Sequence, residues 1–315
     1  MTELTLVEQE DQRLYNTVEK WYVREQWLNH ARRRLATNKR NHIRYLTLTC
    51  SLVYDVLFLK NNGLIETTEI GYAKDSLAFC EQSIQRSVLI RKRLPGAKFF
   101  DGAIEDFLGV GNLNFSRRAE GWFPFDVINI DVCGSPFSER SKFTATIEKL
   151  YNAQRIKRQS FTLFITVCCA EDGDSEPNKE RLRAMIRNNF TVTGFQRAYG
   201  DRYPQPIALY HEFLSLAIPK LVIDVGFQHG FDVDCKRKFT YIGGANAARM
   251  ISFIFDCDMP YVPDPLMYLS TERPVRLVGV IRHEIEDVNG ILQSNNTYNQ
   301  RCTELQREYT VNGST

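Results

Sequence analysis

The chain has 315 residues, of which 43% are hydrophobic and 25% charged. This composition is typical of a folded globular protein and excludes a disordered or collagen-like chain. The formal net charge is only +2, so any attraction to nucleic acid must come from local clusters of charge. The N-terminal stretch MTELTLVEQEDQ is acidic and polar where a secretory signal needs a basic start, and no later apolar run is long enough to span a membrane. We therefore expect a cytoplasmic protein with no membrane segment.

The eight cysteines are spread along the chain without a C-x-x-C pair, and the five histidines lie at no metal-ligand spacing. A disulfide scaffold and a zinc site both need closer groupings. We expect reduced thiols and no metal site.

The N-terminal region is predicted to be helical. Apolar residues recur at helical spacing from Leu14 to Leu35, and a basic run, ARRRLATNKRNHIR, follows this stripe. The pattern predicts an amphipathic helix with a basic end. We assign residues 1–43 to a helical N-terminal extension.

Beyond this extension, short apolar runs alternate with helical stretches. The predicted strands are RYLTLTC, TEIGYA, AKFF, FDVINID and SFTLFITVCC. Near-continuous apolar strands separated by helices predict a parallel sheet covered on both faces. The runs KRKFTYIG and MISFIFD then predict an antiparallel strand pair at one edge. We predict an α/β domain over residues 44–258 with a Rossmann-like, mostly parallel seven-stranded sheet, and a C-terminal helical extension or tail over residues 259–315.

In such sheets ligands bind at the carboxyl ends of the strands. The first strand ends in Thr49, Cys50 and Ser51, with Asp55 just beyond and no glycine before Gly63. Small residues suit either a tight cofactor-binding turn or an ordinary joint between a strand and a helix. We name these four polar and thiol residues as candidate cofactor ligands.

The next two strand ends each offer an aspartate. Asp75 follows TEIGYA at some distance and is a candidate acceptor for ribose hydroxyls, although an ordinary turn suits the sequence better. Asp101 directly follows AKFF, where a carboxylate can accept from an adenine amine or cap the following helix.

The fourth strand end is the most informative. FDVINIDVCGSPF ends a buried strand with Asp131 and continues into a polar turn of Gly134, Ser135 and Pro136. We name these four residues as catalytic candidates; a helix cap through Ser138 is the structural alternative.

Residues 130–137 read Ile-Asp-x-x-Gly-Ser-Pro-Phe, which resembles the I-D-P-F-G-S-P motif of the tRNA guanine dimethyltransferase family. Five parallel strand–helix units followed by an antiparallel pair also resemble Rossmann-like methyltransferases. The resemblance implies S-adenosylmethionine as cofactor and methyl transfer to a nucleic-acid base amine. It implies that Asp131 and its turn orient the amine, that Asp101 holds adenine, and that the Thr49 turn faces the methionine portion.

The sequence departs from this family at several points. Val132 and Cys133 stand where the motif has proline and an aromatic residue, and a glycine-rich cofactor turn and a ribose acid are missing from the predicted strand ends. A catalytically inactive methyltransferase fold, serving as a scaffold with a protein partner in a nucleoprotein assembly such as a phage-defence complex, is therefore the alternative.

Two basic segments favour nucleic-acid binding, because Lys and Arg clusters attract phosphates and aromatic rings stack on unpaired bases. Trp21, Tyr22 and Trp27 precede the first segment. The alternative is a solvated helix face. The candidates are Arg32, Arg33, Arg34, Lys39, Arg40 and Arg44 in the first segment, and Arg91, Lys92 and Arg93 in the second.

Overall fold

In the computed structural model of the chain, the described residues are 4–111, 117–132, 136–137, 141–169, 180, 210–243, 248–259 and 285–310. The N-terminal region forms two helices, α1 (Leu6–Tyr15) and α2 (Val18–Thr37). They are separate because Asn16 leaves the helical conformation and the Thr17 side chain caps α2 by accepting from the N–H of Lys20. The prediction of one continuous helix from Leu14 to Leu35 is therefore wrong, because the helix is interrupted at Asn16 and Thr17.

The central sheet has eight strands in the order β10-β8-β9-β7-β6-β1-β4-β5. Its members are β1 (Tyr45–Thr47), β4 (Leu77–Glu81), β5 (Lys98–Asp101), β6 (Val127–Val132), β7 (Phe161–Cys168), β8 (Asp232–Gly243), β9 (Ala248–Asp258) and β10 (Glu286–Asp287). The two remaining strands, β2 (Thr67–Thr68) and β3 (Gly71–Tyr72), form a separate small antiparallel pair.

The pairing directions confirm the predicted fold class. The strands β5, β4, β1, β6 and β7 are parallel, whereas β9 runs antiparallel to both β7 and β8. This arrangement is the Rossmann-like sheet with an antiparallel C-terminal pair. The strand number is eight where seven were predicted, because the two-residue strand β10 pairs with β8 at the edge.

The second parallel strand corrects the prediction. TEIGYA forms the small β2–β3 pair, and the strand beside β1 is Leu77–Glu81. Leu77, Ala78, Phe79 and Cys80 are all buried, whereas Thr67 and Thr68 are exposed. A short apolar run fits a strand and a helix equally well when it is judged by spacing alone, and here burial between two helical layers decides for the strand.

Helices cover both faces of the sheet. They are α3 (Tyr54–Asn61), α4 (Ile84–Arg93), α5 (Ile104–Phe107), α6 (Arg117–Trp122), α7 (Phe143–Ile156), α8 (Tyr210–Gln228), α9 (Val288–Ser294) and α10 (Asn296–Glu308). Alternate residues of a strand point to opposite faces. Accordingly Leu46 and Ile128 belong to one core cluster, and their neighbours Tyr45 and Val127 to the other.

The two ends of the described chain meet on one face. The Trp21 ring lies 4.7 Å from the Tyr309 ring, and the Asn16 side chain donates to the carbonyl of Gln306 at 3.1 Å. Both helical extensions therefore share a core cluster with the sheet. None of the helices in the described ranges combines the length and the apolar character that a membrane span requires.

Candidate functional site

A cavity of about 340 Å³ lies at the carboxyl ends of β1, β4, β5 and β6, and the helices α1 and α2 roof it. The sheet side is lined by Leu48, Thr49, Cys50, Asp55, Cys80, Glu81, Gln82, Arg86, Gly102, Ala103, Ile104, Glu105, Asn129, Asp131, Val132 and Tyr241. The roof is lined by Tyr15, Lys20, Val23, Arg24 and Trp27. The position is the ligand site of open parallel sheets.

The turn after β1 brings three of its four predicted residues to the cavity, namely Thr49, Cys50 and Asp55. The Asp55 carboxylate accepts from the hydroxyls of Tyr45, Thr47 and Thr49 at 2.6–2.7 Å. Because these three donors occupy its oxygens, Asp55 ties β1 to α3 and shapes the turn.

The remaining candidate in that turn, Ser51, is hydrogen-bonded to the N-terminal helix α1. Its backbone N–H donates to the Asp11 carboxylate at 2.8 Å, and Arg86 donates to the other oxygen of Asp11 at 3.0 Å. Val53, two residues later, has a φ of 51°, a left-handed conformation that a β-branched residue rarely adopts. The turn after β1 is thus strained and contains no glycine, and its Ser51 N–H is bound by Asp11 of α1. It stands where a cofactor-binding Rossmann fold has a glycine-rich turn.

Glu81 supplies the acid that was missing from the predicted strand ends. It ends β4 and lines the cavity, and its Oε1 accepts from the N–H of Ser83 at 2.6 Å. Burial raises the pKa of this carboxyl. The hydrogen bond from Ser83 and the charge of Arg86 lower the pKa, but the effect of burial is larger. The sequence pattern that could have identified Glu81 is the short apolar run LAFC, which is followed by this acid and then by Ser83, the N-cap of α4.

The two aspartates predicted at neighbouring strand ends do not line the cavity. Asp75 precedes β4, so it lies at the amino end of that strand, where it pairs with Lys98. Asp101 ends β5 but accepts from Ser87 and pairs with Arg91, with its side chain about half exposed. Neither aspartate is therefore brought to the cavity with the other predicted residues; Gly102 to Glu105 line the cavity beyond β5 instead.

Asp131 and Asn129 project from the end of β6 and line the cavity. Within the described residues, Oδ1 of each is buried and has no hydrogen-bond partner. Desolvation raises the pKa of Asp131, while the charges of Lys20 and Arg24 act in the opposite direction. Of the turn that follows, Gly134 and Ser135 lie outside the described residues, and Pro136 is buried.

We expect Asp131→Asn to raise Tm by a few degrees at pH 7.5, and to do so less at pH 5. The raised pKa means that the native state binds this proton more tightly than the unfolded chain, where aspartate titrates near 3.9. Ionisation of Asp131 therefore lowers stability at high pH, and this cost is lost as the pH falls through its native pKa. Thermal unfolding of both proteins at both pH values measures the difference; an equal difference at both, or a less stable variant at pH 7.5, contradicts it.

Aromatic rings form part of the cavity wall. Trp27 stacks on Phe164 at a ring distance of 5.2 Å. Trp21 and Tyr22, which the sequence also offered for base stacking, are buried in the core. Among the described residues, His, Cys, Asp and Glu side chains form no group that could hold a metal ion.

Several predicted nucleic-acid residues are engaged within the protein. Three of them form ion pairs: Arg40 with Asp126, Arg91 with Asp101, and Arg93 with Glu8. Arg32 donates a hydrogen bond to the Asn62 side chain. Arg44 donates to the backbone carbonyls of Asp75 and Trp122. Arg34 is buried and bridges Thr162, Asp256 and Asp258. The side chains of Arg33, Lys39 and Lys92 are exposed and form no hydrogen bond or ion pair with the described part of the chain.

We expect Arg34→Ala to lower the free energy of unfolding by about 3 kcal/mol, because it leaves Asp256 and Thr162 without their buried partner. Arg33→Ala is the matched control on the same helix; its side chain is exposed, so the change should stay within about 0.5 kcal/mol. Urea unfolding measures both. Equal effects of the two substitutions would contradict a structural role for Arg34.

The strand order and the cavity at the carboxyl edge define a protein of the Rossmann-like methyltransferase fold. The family model described as PP_RS20740-like matches residues 18–276, and the chain belongs to that family. The comparison with curated proteins gave no match.

Solved structures similar to this chain include three methyltransferases. The N-methyltransferase NodS from Bradyrhizobium japonicum WM9 is 11% identical, with 74% of this chain and 96% of that chain covered and a TM-score of 0.38. An rRNA methylase from Streptococcus thermophilus is 11% identical over 70% and 89%, with a TM-score of 0.35. The magnesium protoporphyrin IX methyltransferase ChlM from Synechocystis PCC 6803, with bound SAH, is 9% identical over 81% and 89%, with a TM-score of 0.38.

Proposed function

We propose that this protein is an S-adenosylmethionine-dependent methyltransferase that acts on an amine. The observation that carries the proposal is the cavity at four strand ends, with Glu81 on one side and Asp131 on the other. A carboxylate can accept from two hydroxyls at once, and the end of the second strand is where Rossmann-type folds hold a ribose. Glu81 would therefore hold the ribose, and Gly102 to Ile104 would face the adenine.

The residues present fit this cofactor. The cavity volume of about 340 Å³ falls in the range of small-molecule sites. Buried polar atoms in its wall, Oδ1 of Asn129 and Oδ1 of Asp131, have no partner in the described protein and so offer acceptors to a ligand.

The cofactor, when bound, supplies a methyl group on a sulfonium. Asp131 accepts an N–H of the amine and thereby directs the nitrogen lone pair, and such positioning supplies much of the rate of a transfer between two bound groups. Trp27 and Tyr241 line the same cavity with aromatic surface. The carboxylate of Asp131 is also placed to take the proton that the amine loses.

The acceptor that we propose is the exocyclic amine of a nucleic-acid base. The motif around Asp131 supports this choice. A base would have to leave its stack to reach a roofed cavity of this size.

Titration calorimetry of the purified chain with S-adenosylhomocysteine tests the proposal, with micromolar binding expected. Methyl transfer from labelled S-adenosylmethionine is then measured with RNA, with DNA and with small amines. Labelling of small amines alone would overturn the nucleic-acid acceptor and leave the methyltransferase standing. Absence of cofactor binding would overturn the methyltransferase.

A second function, a catalytically inactive scaffold with a protein partner, is favoured by one contact. The N–H of Ser51 in the first turn is already bound by Asp11, so a carboxylate of the protein occupies a donor at the expected cofactor turn. This function predicts no binding of S-adenosylhomocysteine by the wild-type chain. Binding by the wild type would contradict it.

A further inference from the structure

Arg24 is a buried cation in the roof of the cavity. It is 7% exposed, and its Nη2 donates to the carbonyl of Tyr15 at 2.9 Å. Its Nε and Nη1 are buried and find no hydrogen-bond partner among the described residues. Donors left unmet on a buried guanidinium are costly, so this part of the cavity is complete only when an acceptor with negative charge is bound.

None of the cavity carboxylates Asp55, Glu81, Glu105 and Asp131 bonds to Nε or Nη1 of Arg24, and neither does Asp11 in α1. Asp11 is bound to Arg86 and Ser51, and Asp55 accepts from three hydroxyls. Asp131 interacts with Arg24 through its charge, yet its Oδ1 stays without a hydrogen bond. The described residues therefore offer no acceptor to Nε and Nη1 of Arg24, and a bound anion would satisfy both donors.

Arg24 lies over the turn that follows β1. Its guanidinium carbon is 5.4 Å from the centroid of Tyr54, the first residue of α3, and 4.7 Å from that of Trp21. Burial raises the pKa of the Cys50 thiol in this turn to about 12, and the charge of Arg24 acts against that rise. The same turn has no glycine, and its Ser51 N–H is occupied by Asp11. A side-chain donor is thus present beside a turn in which one backbone donor, the Ser51 N–H, is already occupied.

We propose that Arg24 binds the carboxylate of the methionine portion of the cofactor, an assignment that rests on the proposed function. The planar guanidinium presents Nε and one Nη as a pair of donors that matches the two oxygens of a carboxylate. The helix α2, which precedes the sheet domain in the chain, thereby supplies the contact that the glycine-poor turn lacks.

The test compares two ligands that differ only in this carboxylate: S-adenosylhomocysteine and its decarboxylated form, which keeps the amine. Titration calorimetry is done with the wild type, Arg24→Met and Arg24→Lys, and with Arg33→Met as the exposed control on the same helix. We expect Arg24→Met to weaken binding of S-adenosylhomocysteine by about 10- to 100-fold and to change binding of the decarboxylated ligand by less than threefold. Arg24→Lys, which keeps the charge, should recover part of the loss, and Arg33→Met should bind both ligands as the wild type does.

Three outcomes would overturn the assignment. Equal weakening of both ligands by Arg24→Met would mean that Arg24 only supports the roof. Unchanged binding of S-adenosylhomocysteine would assign the anion to the methyl acceptor and leave the proposed function intact. A wild-type chain that binds neither ligand would overturn the proposed function together with this inference. If Arg24→Met does not fold, the preference of Arg24→Lys for S-adenosylhomocysteine over the decarboxylated ligand decides: a reduced preference supports the assignment, and an unreduced one overturns it.

Discussion

Asp131→Ala is expected to lower kcat for methyl transfer by roughly 100-fold or more, while binding of S-adenosylhomocysteine changes by less than threefold. The reason is the position of the carboxylate at the end of β6, where Oδ1 is buried in the cavity and bonded to nothing in the described protein. A group that acts on the acceptor lowers kcat when it is lost, whereas a group that holds the cofactor lowers affinity.

Asp131→Asn separates charge from shape in the same experiment. The amide keeps an acceptor oxygen but can take no proton, so an activity close to that of Asp131→Ala would assign proton transfer to Asp131, and an activity close to wild type would assign orientation alone. Single-turnover rates with cofactor in excess are the measurement. If Asp131→Ala retained the wild-type rate in a protein that binds the cofactor, the catalytic assignment would be wrong.

Glu81→Gln is expected to weaken binding of S-adenosylhomocysteine by about 10- to 100-fold, because hydrogen bonds to a charged group contribute about 1.5–3 kcal/mol. Glu81 lines the cavity and has one oxygen engaged by the Ser83 N–H. The other oxygen is the acceptor that a ribose would use.

Asp101→Asn is the matched control, since Asp101 is paired with Glu81 in the register of β4 and β5. Its carboxylate contacts Ser87 and Arg91 and does not line the cavity, so its substitution should leave affinity within threefold. Calorimetry with the two variants compares two carboxylates at adjacent strand ends. A larger loss for Asp101→Asn than for Glu81→Gln would reverse the assignment of the ribose acid.

Features that are unfavourable for stability gather around the cavity. Val53 adopts a left-handed conformation, the carboxyls of Glu81 and Asp131 have raised pKa values, and Arg24 is buried without a partner for two of its donors. Functional sites retain such features because a bound ligand, and not the empty fold, satisfies them. Their concentration in one place is independent support for a ligand site at this edge of the sheet.

The predictions that came from local patterns were confirmed where a strand is long and fully buried. SFTLFITVCC became β7, and the two runs before and after residues 244–247 became the antiparallel pair β8 and β9. The order of these elements was enough to predict the fold class. Asp131 was predicted from sequence at the end of a buried strand, and it lines the cavity; recognising a carboxylate at a strand end needs no knowledge of distant residues.

Only the tertiary structure decided the remaining assignments. Leu77–Glu81 fits a strand or a helix by its spacing, and its place between β1 and β5 made it a strand and made Glu81 a cavity residue. The basic run gave no sign that Arg34 would be buried beside Asp258, 224 residues away. Arg24 and Asp11 reach the strand ends only because α1 and α2 pack over them. Periodicity is a local property that a sequence displays directly, whereas the partner of a charged side chain depends on which distant segments the fold brings together.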